Sequence, residues 1–195
     1  ALDAAPVLGI GHSAGAAVLA RMALDRRMAP AGLVAVNGAL TPFKGLPGVL
    51  LPAMARALRW NPLAARVIAT AALDPNAVPA MIRGMGSRIG RQGVGIYARL
   101  MRSPDHVAGT IGMMAAWDLD GLLADLPRVE IPVLLLAASR DRAVPPAQAA
   151  EIASRLPNAE VTRLEGLGHL AHEEAPERVA GAVLSFADRL GIATA

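Results

Sequence analysis

Short apolar runs alternate along the chain with amphipathic stretches. Residues 7–10 are apolar, residues 11–15 are small and polar (Gly11-His12-Ser13-Ala14-Gly15), and an alanine-rich stretch of helical periodicity follows to residue 25. Two more apolar runs, 33–36 and 133–137, are bounded by turn residues, and 160–164 is a weaker fourth. Helical patterns follow three of the four. Near-continuous apolar strands separated by helices predict an α/β fold, a mostly parallel sheet with helices on both faces.

Between the second and third runs the pattern changes. Across residues 41–126, Asn61-Pro62, Asp74-Pro75 and Ser103-Pro104 each set a capping side chain directly before a proline suited to the first helical position. This predicts a helical cap, inserted between core segments 1–40 and 127–195. Charge sharpens the division. Residues 42–117 carry nine basic residues (Lys44, Arg56, Arg59, Arg66, Arg83, Arg88, Arg91, Arg99, Arg102) against Asp74 and Asp105, whereas the whole chain is only +3. Solvated helix faces account for such an excess, and an acidic ligand is the sharper reading. Nucleic acid is not expected: only Phe43, Trp60, Tyr97 and Trp117 could stack there, and no nucleic-acid motif is present.

Composition permits a sizeable buried core, with 54% hydrophobic residues in 195 and a mean hydropathy of +0.42. The absence of cysteine excludes disulfides and thiolate metal sites and suits a reducing, cytoplasmic compartment. The longest uncharged stretch is 17 residues, 4–20, punctuated by Pro6 and three glycines. A spanning helix needs about 20 apolar residues, so no transmembrane segment is expected. The opening Ala1-Leu2-Asp3 lacks the basic start of a secretory signal.

A serine at a strand-to-helix junction, in the pattern G-x-S-x-G, predicts a tight turn that strains and presents its hydroxyl, with glycines where side chains would collide. A hydroxyl is a poor nucleophile without a base, and the base needs a third group to orient it. Of four histidines, His12 lies inside the motif and reads as packing or a local hydrogen bond, with a second possible role lining the pocket. His106 reads as a solvated residue of the cap. His169, in the glycine-flanked loop after the fourth strand, sits where open α/β sheets build sites, and His172 reads as a partner ordering that loop. Asp141 follows the third strand directly, while the second strand ends in Asn37-Gly38 without an acid. The expected catalytic set is therefore Ser13, Asp141 and His169. The backbone N–H of Ala14 is the expected oxyanion donor, and His12, Asn37, Trp117 and Val144 are candidate pocket residues. No phosphate loop or metal-spaced carboxylate cluster appears, so neither a metal nor another cofactor is expected.

The motif and the order Ser13, Asp141, His169 resemble the α/β-hydrolase superfamily, from its fifth strand to its C-terminal helix. Within it, GHSAGAAVLARMALD and residues 33–67 resemble the magnesium-chelatase-associated, hydrolase-like accessory proteins of bacteriochlorophyll biosynthesis. That resemblance implies a role near magnesium insertion and association with the chelatase. It also implies a small-molecule substrate or ligand such as a tetrapyrrole, and a cytoplasmic or membrane-peripheral location. The departure is one of extent. In that fold four strands and an oxyanion loop precede the motif, but only five residues precede Pro6 here. The sequence reads as a C-terminal part, with the first strand at an open sheet edge and half of the oxyanion hole present. Two functional classes stay open: a hydrolase of an ester, C–C or other acyl-type bond in an apolar substrate, and a non-catalytic tetrapyrrole-binding accessory.

Overall fold

A computed structural model describes residues 7–42, 53–58 and 61–192. Lys44, Arg59, Phe43 and Trp60 lie outside the described residues. The chain forms two compact units: Ala1–Thr41 with Met85–Ser87 and Leu119–Ala195, and Pro42–Gly84 with Arg88–Asp118.

The first unit is α/β. Among the described residues its sheet has four parallel strands in the order β1 (Leu8–His12), β2 (Gly32–Val36), β3 (Val133–Ala138), β4 (Ala159–Leu164). The register aligns Ile10 with Val34, Val34 with Leu134, and Leu134 with Glu160. β2 and β3 are buried along their whole length because both faces are covered, which is why they read as unbroken apolar runs. Strand alternation divides them. Val34, Val36, Leu134, Leu136 and Ala138 join Val179 and Phe186 of the C-terminal helix (Pro176–Arg189) in one core cluster. On the other face Leu33, Ala35 and Val133 meet Ala16 and Ala20 of α1 (Ala14–Leu24), whose alanines let that helix lie close to the sheet. Each fully buried leucine contributes about 1.5–3 kcal/mol. β1 is an edge among the described residues, with Val7 and Ile10 more than half exposed.

The second unit is helical. It holds α2 (residues 53–58), α3 (Pro62–Ala71), α4 (Ala77–Gly84), α5 (Arg91–Met101) and α6 (Pro104–Ala115). Ala65 and Ala69 of α3 pack on Val107 of α6, with Ile68 and Ile111 alongside. Two of the expected caps form: Asn61 accepts from the Leu63 N–H at 3.0 Å, and Ser103 accepts from the His106 N–H at 3.3 Å. Asp74 does not cap a helix. Its carboxylate accepts from the Asn76 N–H two residues on, a local turn that competes with helix, so α4 starts only at Ala77. α7 (Leu119–Asp125) belongs to the first unit, where Arg21 of α1 pairs with Asp125 at 2.7 Å. The first unit also contains α8 (Gln148–Ala153) after β3, α9 (Ala171–Glu174) after β4, and the C-terminal helix, α10.

Candidate active site

β1 runs to His12, so the backbone turns from strand to helix at a single residue, Ser13. Ser13 has φ 51° and ψ −119°, a conformation costing about 1–3 kcal/mol for an L-residue. It is held by both main-chain groups. Its N–H donates to Val36 O at 3.0 Å, and its carbonyl accepts from Ala16 N–H at 3.2 Å and Ala39 N–H at 3.0 Å. The two flanking glycines differ. A Cβ at Gly11 would lie 2.6 Å from backbone atoms of Gly15 and Ala16, so the turn requires glycine there. At Gly15 a Cβ would meet open space, contrary to the expected collision. Ala14 opens α1, so its N–H has no acceptor within the helix.

Three side chains from separate loops come together at the carboxyl end of the sheet. His169 Nε2 lies 3.1 Å from Ser13 Oγ, and His169 Nδ1 lies 2.8 Å from Asp141 Oδ2. The carboxylate can only accept, so Nδ1 carries the proton and Nε2 is left to accept the serine hydroxyl's hydrogen. The Asp141 side chain is fully buried and that of His169 is 8% exposed, whereas Ser13 and Ala14 are half-buried and reachable. Asp141 Oδ1 takes the Ala143 and Val144 N–H groups at 2.8 and 2.9 Å. Val144, a candidate pocket residue, therefore meets the acid through its backbone.

Asn37 and His12, also candidate pocket residues, brace the histidine loop. Asn37, in a left-handed conformation (φ 47°), donates through Nδ2 to Gly168 O at 3.1 Å and His169 O at 2.8 Å, and accepts from Ala138 N–H at 2.8 Å. Its amide is spent on three backbone groups across β2, β3 and the loop. His12 Nε2 donates to the same His169 carbonyl at 2.9 Å. Burial pushes the His12 imidazole down to about 4 from 6.5, a shift the hydrogen bond to His169 opposes. Burial also lowers His172, whose ring centroid lies 4.4 Å from that of His12. Trp117 belongs to the helical unit, its indole N–H buried without a hydrogen-bond partner among the described residues. His106 is exposed in α6.

Other residues of the loop's cage carry no sequence signal. Ser87, fully buried, accepts the Leu170 N–H at 2.8 Å, Met85 O takes the His169 N–H, and Glu174 takes the Gly168 N–H at 2.9 Å. Met85-Gly86-Ser87 is distant in sequence from both loops it supports. Only Gly86, at φ 84° and with a Cβ position 1.9 Å from Arg140 O, hints at a tight passage. Among the described residues no group of three or more His, Asp or Glu side chains could hold a metal ion, and no helix is long and apolar enough to cross a membrane.

Comparison with known proteins agrees with this architecture. The chain is 38% identical over 185 residues to a Rhodobacter capsulatus protein named "Magnesium-chelatase 30 kDa subunit", covering 95% of this chain and 64% of the relative. A thermophilic esterase from Thermogutta terrifontis superimposes with a TM-score of 0.69 at 21% identity, over 95% of this chain and 66% of the esterase. An α/β-hydrolase-fold protein from Burkholderia ambifaria gives 0.72 at 23% identity, over 93% and 66%. The chain thus spans about two thirds of the length of these proteins. The model of the alpha/beta hydrolase family matches residues 1–182, and the chain belongs to that family.

Proposed function

We propose that the protein is a serine hydrolase of acyl-type bonds, most simply an ester, acting in tetrapyrrole pigment synthesis near magnesium insertion. One observation carries the chemistry: the unbroken hydrogen-bond path from Ser13 Oγ through both nitrogens of His169 to the buried Asp141 carboxylate. In this reading Ser13 Oγ attacks the substrate carbonyl carbon while His169 Nε2 takes its proton. Asp141 stays ionised, holding Nδ1–H and stabilising the imidazolium. The Ala14 N–H donates to the developing oxyanion, a contact worth about 3–4 kcal/mol in comparable sites. His169 then protonates the leaving alkoxide, and an acyl group remains on Ser13. A water deprotonated by the same nitrogen attacks the acyl carbon, releasing the acid and returning the proton to Ser13. No cofactor enters any of these steps.

The biological setting rests on the relative named as a magnesium-chelatase subunit, and association with the chelatase is part of the proposal. The same relative favours a second reading, an accessory that binds a tetrapyrrole without chemistry. The exposed arginines of the helical unit, Arg88, Arg91 and Arg99, would then meet its carboxylates. A fluorophosphonate applied to the protein as the cell makes it decides the chemistry: Ser13 is labelled, and Ser13→Ala or His169→Ala abolishes labelling. Pigment formation decides the setting. Loss of pigment in Ser13→Ala supports the hydrolase, whereas normal pigment in that variant with loss on charge reversal of the three arginines supports the accessory.

A further inference from the structure

We infer that His12 is a positioning residue for His169, tying the general base to the backbone that carries the nucleophile; this rests on the hydrolase reading above. The residue preceding Ser13 in the chain hydrogen-bonds the main-chain carbonyl of the residue whose ring must meet Ser13 Oγ. Nucleophile and base are thereby linked by a second, non-reacting bridge. Any drift of the His169 loop away from β1 has to break the 2.9 Å bond from His12 Nε2 before it lengthens the 3.1 Å contact at Ser13. The rings add a steric part, because the His12 centroid lies 4.7 Å from that of His169 and 4.4 Å from that of His172.

A histidine suits this task only while neutral. The charged or titratable groups facing His12 are the His169 and His172 rings and the Asp141 carboxylate. A charged His12 would repel the imidazolium that forms at His169 during the reaction. Burial keeps His12 uncharged well below neutral pH, so it donates a hydrogen bond without adding charge. Asn37 holds the same carbonyl from the β2 side, so the loop is gripped from two adjacent strands. A phenylalanine at this place would supply the ring but no donor, and a glutamine the donor but no ring.

That difference is the test, run on the protein as the cell makes it. His12→Phe should slow fluorophosphonate labelling of Ser13 about ten- to hundredfold, the scale set by misplacing a reacting group by about 1 Å. It should also move the pH midpoint of labelling, and His12→Gln should recover most of the rate and the midpoint. The downfield proton resonance of His169 Nδ1–H, read by NMR in each variant, should be displaced by Phe and restored by Gln. Wild-type rate, midpoint and resonance in His12→Phe would overturn the inference. So would a His12→Gln variant as impaired as His12→Phe or more so, because the donor that glutamine supplies would then restore nothing. Should wild-type Ser13 take no label, the hydrolase reading fails, and the resonance alone still decides whether His12 positions His169.

Discussion

Replacing Asn37 by alanine removes a side chain that joins β2, β3 and the histidine loop. The buried Ala138 N–H loses its acceptor, which costs about 1–3 kcal/mol, and Gly168 O and His169 O each lose a donor worth about 1 kcal/mol net. Alanine at φ 47° adds about 1–2 kcal/mol that asparagine largely avoids. A cavity of about 20 Å³ bordered by Asn37 and Val144 has room for one water, which could satisfy the orphaned N–H and sets the lower end of the range. The expected loss is about 4 kcal/mol, a large share of a domain's stability. Asn37→Gly loses the same bonds without the backbone strain and should recover about 1 kcal/mol of it. Urea unfolding followed by far-ultraviolet circular dichroism is the suitable assay, with hydrogen exchange of peptides covering residues 133–141 and 165–172. An Asn37→Ala midpoint equivalent to less than about 1 kcal/mol of destabilisation, or unchanged exchange in both peptides, would refute the bracing role.

The two motif glycines should separate cleanly: Gly11→Ala forces a Cβ into backbone at 2.6 Å and should cost several kcal/mol or abolish folding, while Gly15→Ala, in open space within α1, should match or exceed wild-type thermal stability by about 1 kcal/mol. Acid should weaken the fold through His12: below pH 6.5 the unfolded chain gains a proton that the native ring refuses until about pH 4, so stability falls as pH drops through that window by up to about 3 kcal/mol, and His172 adds in the same direction. Urea midpoints at pH 7 and pH 4.5 should therefore differ more in wild type than in His12→Gln, and equal differences would contradict the burial of His12. Asp141→Asn can keep the Ala143 and Val144 bonds but turns an N–H toward His169 Nδ1, moving the ring proton to Nε2; labelling of Ser13 should fall about 10³- to 10⁴-fold with little change in melting temperature.

Local pattern determined much of this protein. Strands buried on both faces must be apolar at every position, so β2 and β3 are legible as runs, and the small-residue motif after β1 marks a turn that backbone sterics make obligatory at Gly11. Residue type and chain order alone single out Ser13, Asp141 and His169, because few hydroxyls, carboxylates and imidazoles stand at strand ends. Where the local signal was ambiguous it misled: Asp74-Pro75 resembles a helix start, but an Asx turn takes the same side chain, and Gly15 resembles a steric requirement where there is open space. Only the tertiary structure decided what holds the histidine in place. The amide of Asn37, the hydroxyl of Ser87, the carbonyl of Met85 and the ring of His12 reach the loop around His169 from positions 83 to 157 residues away in sequence, 83 for Ser87 to Leu170, 132 for Asn37 and 157 for His12 to His169. Such bonds follow no periodicity, because they satisfy buried backbone groups wherever the fold happens to bring a donor or acceptor within about 3 Å.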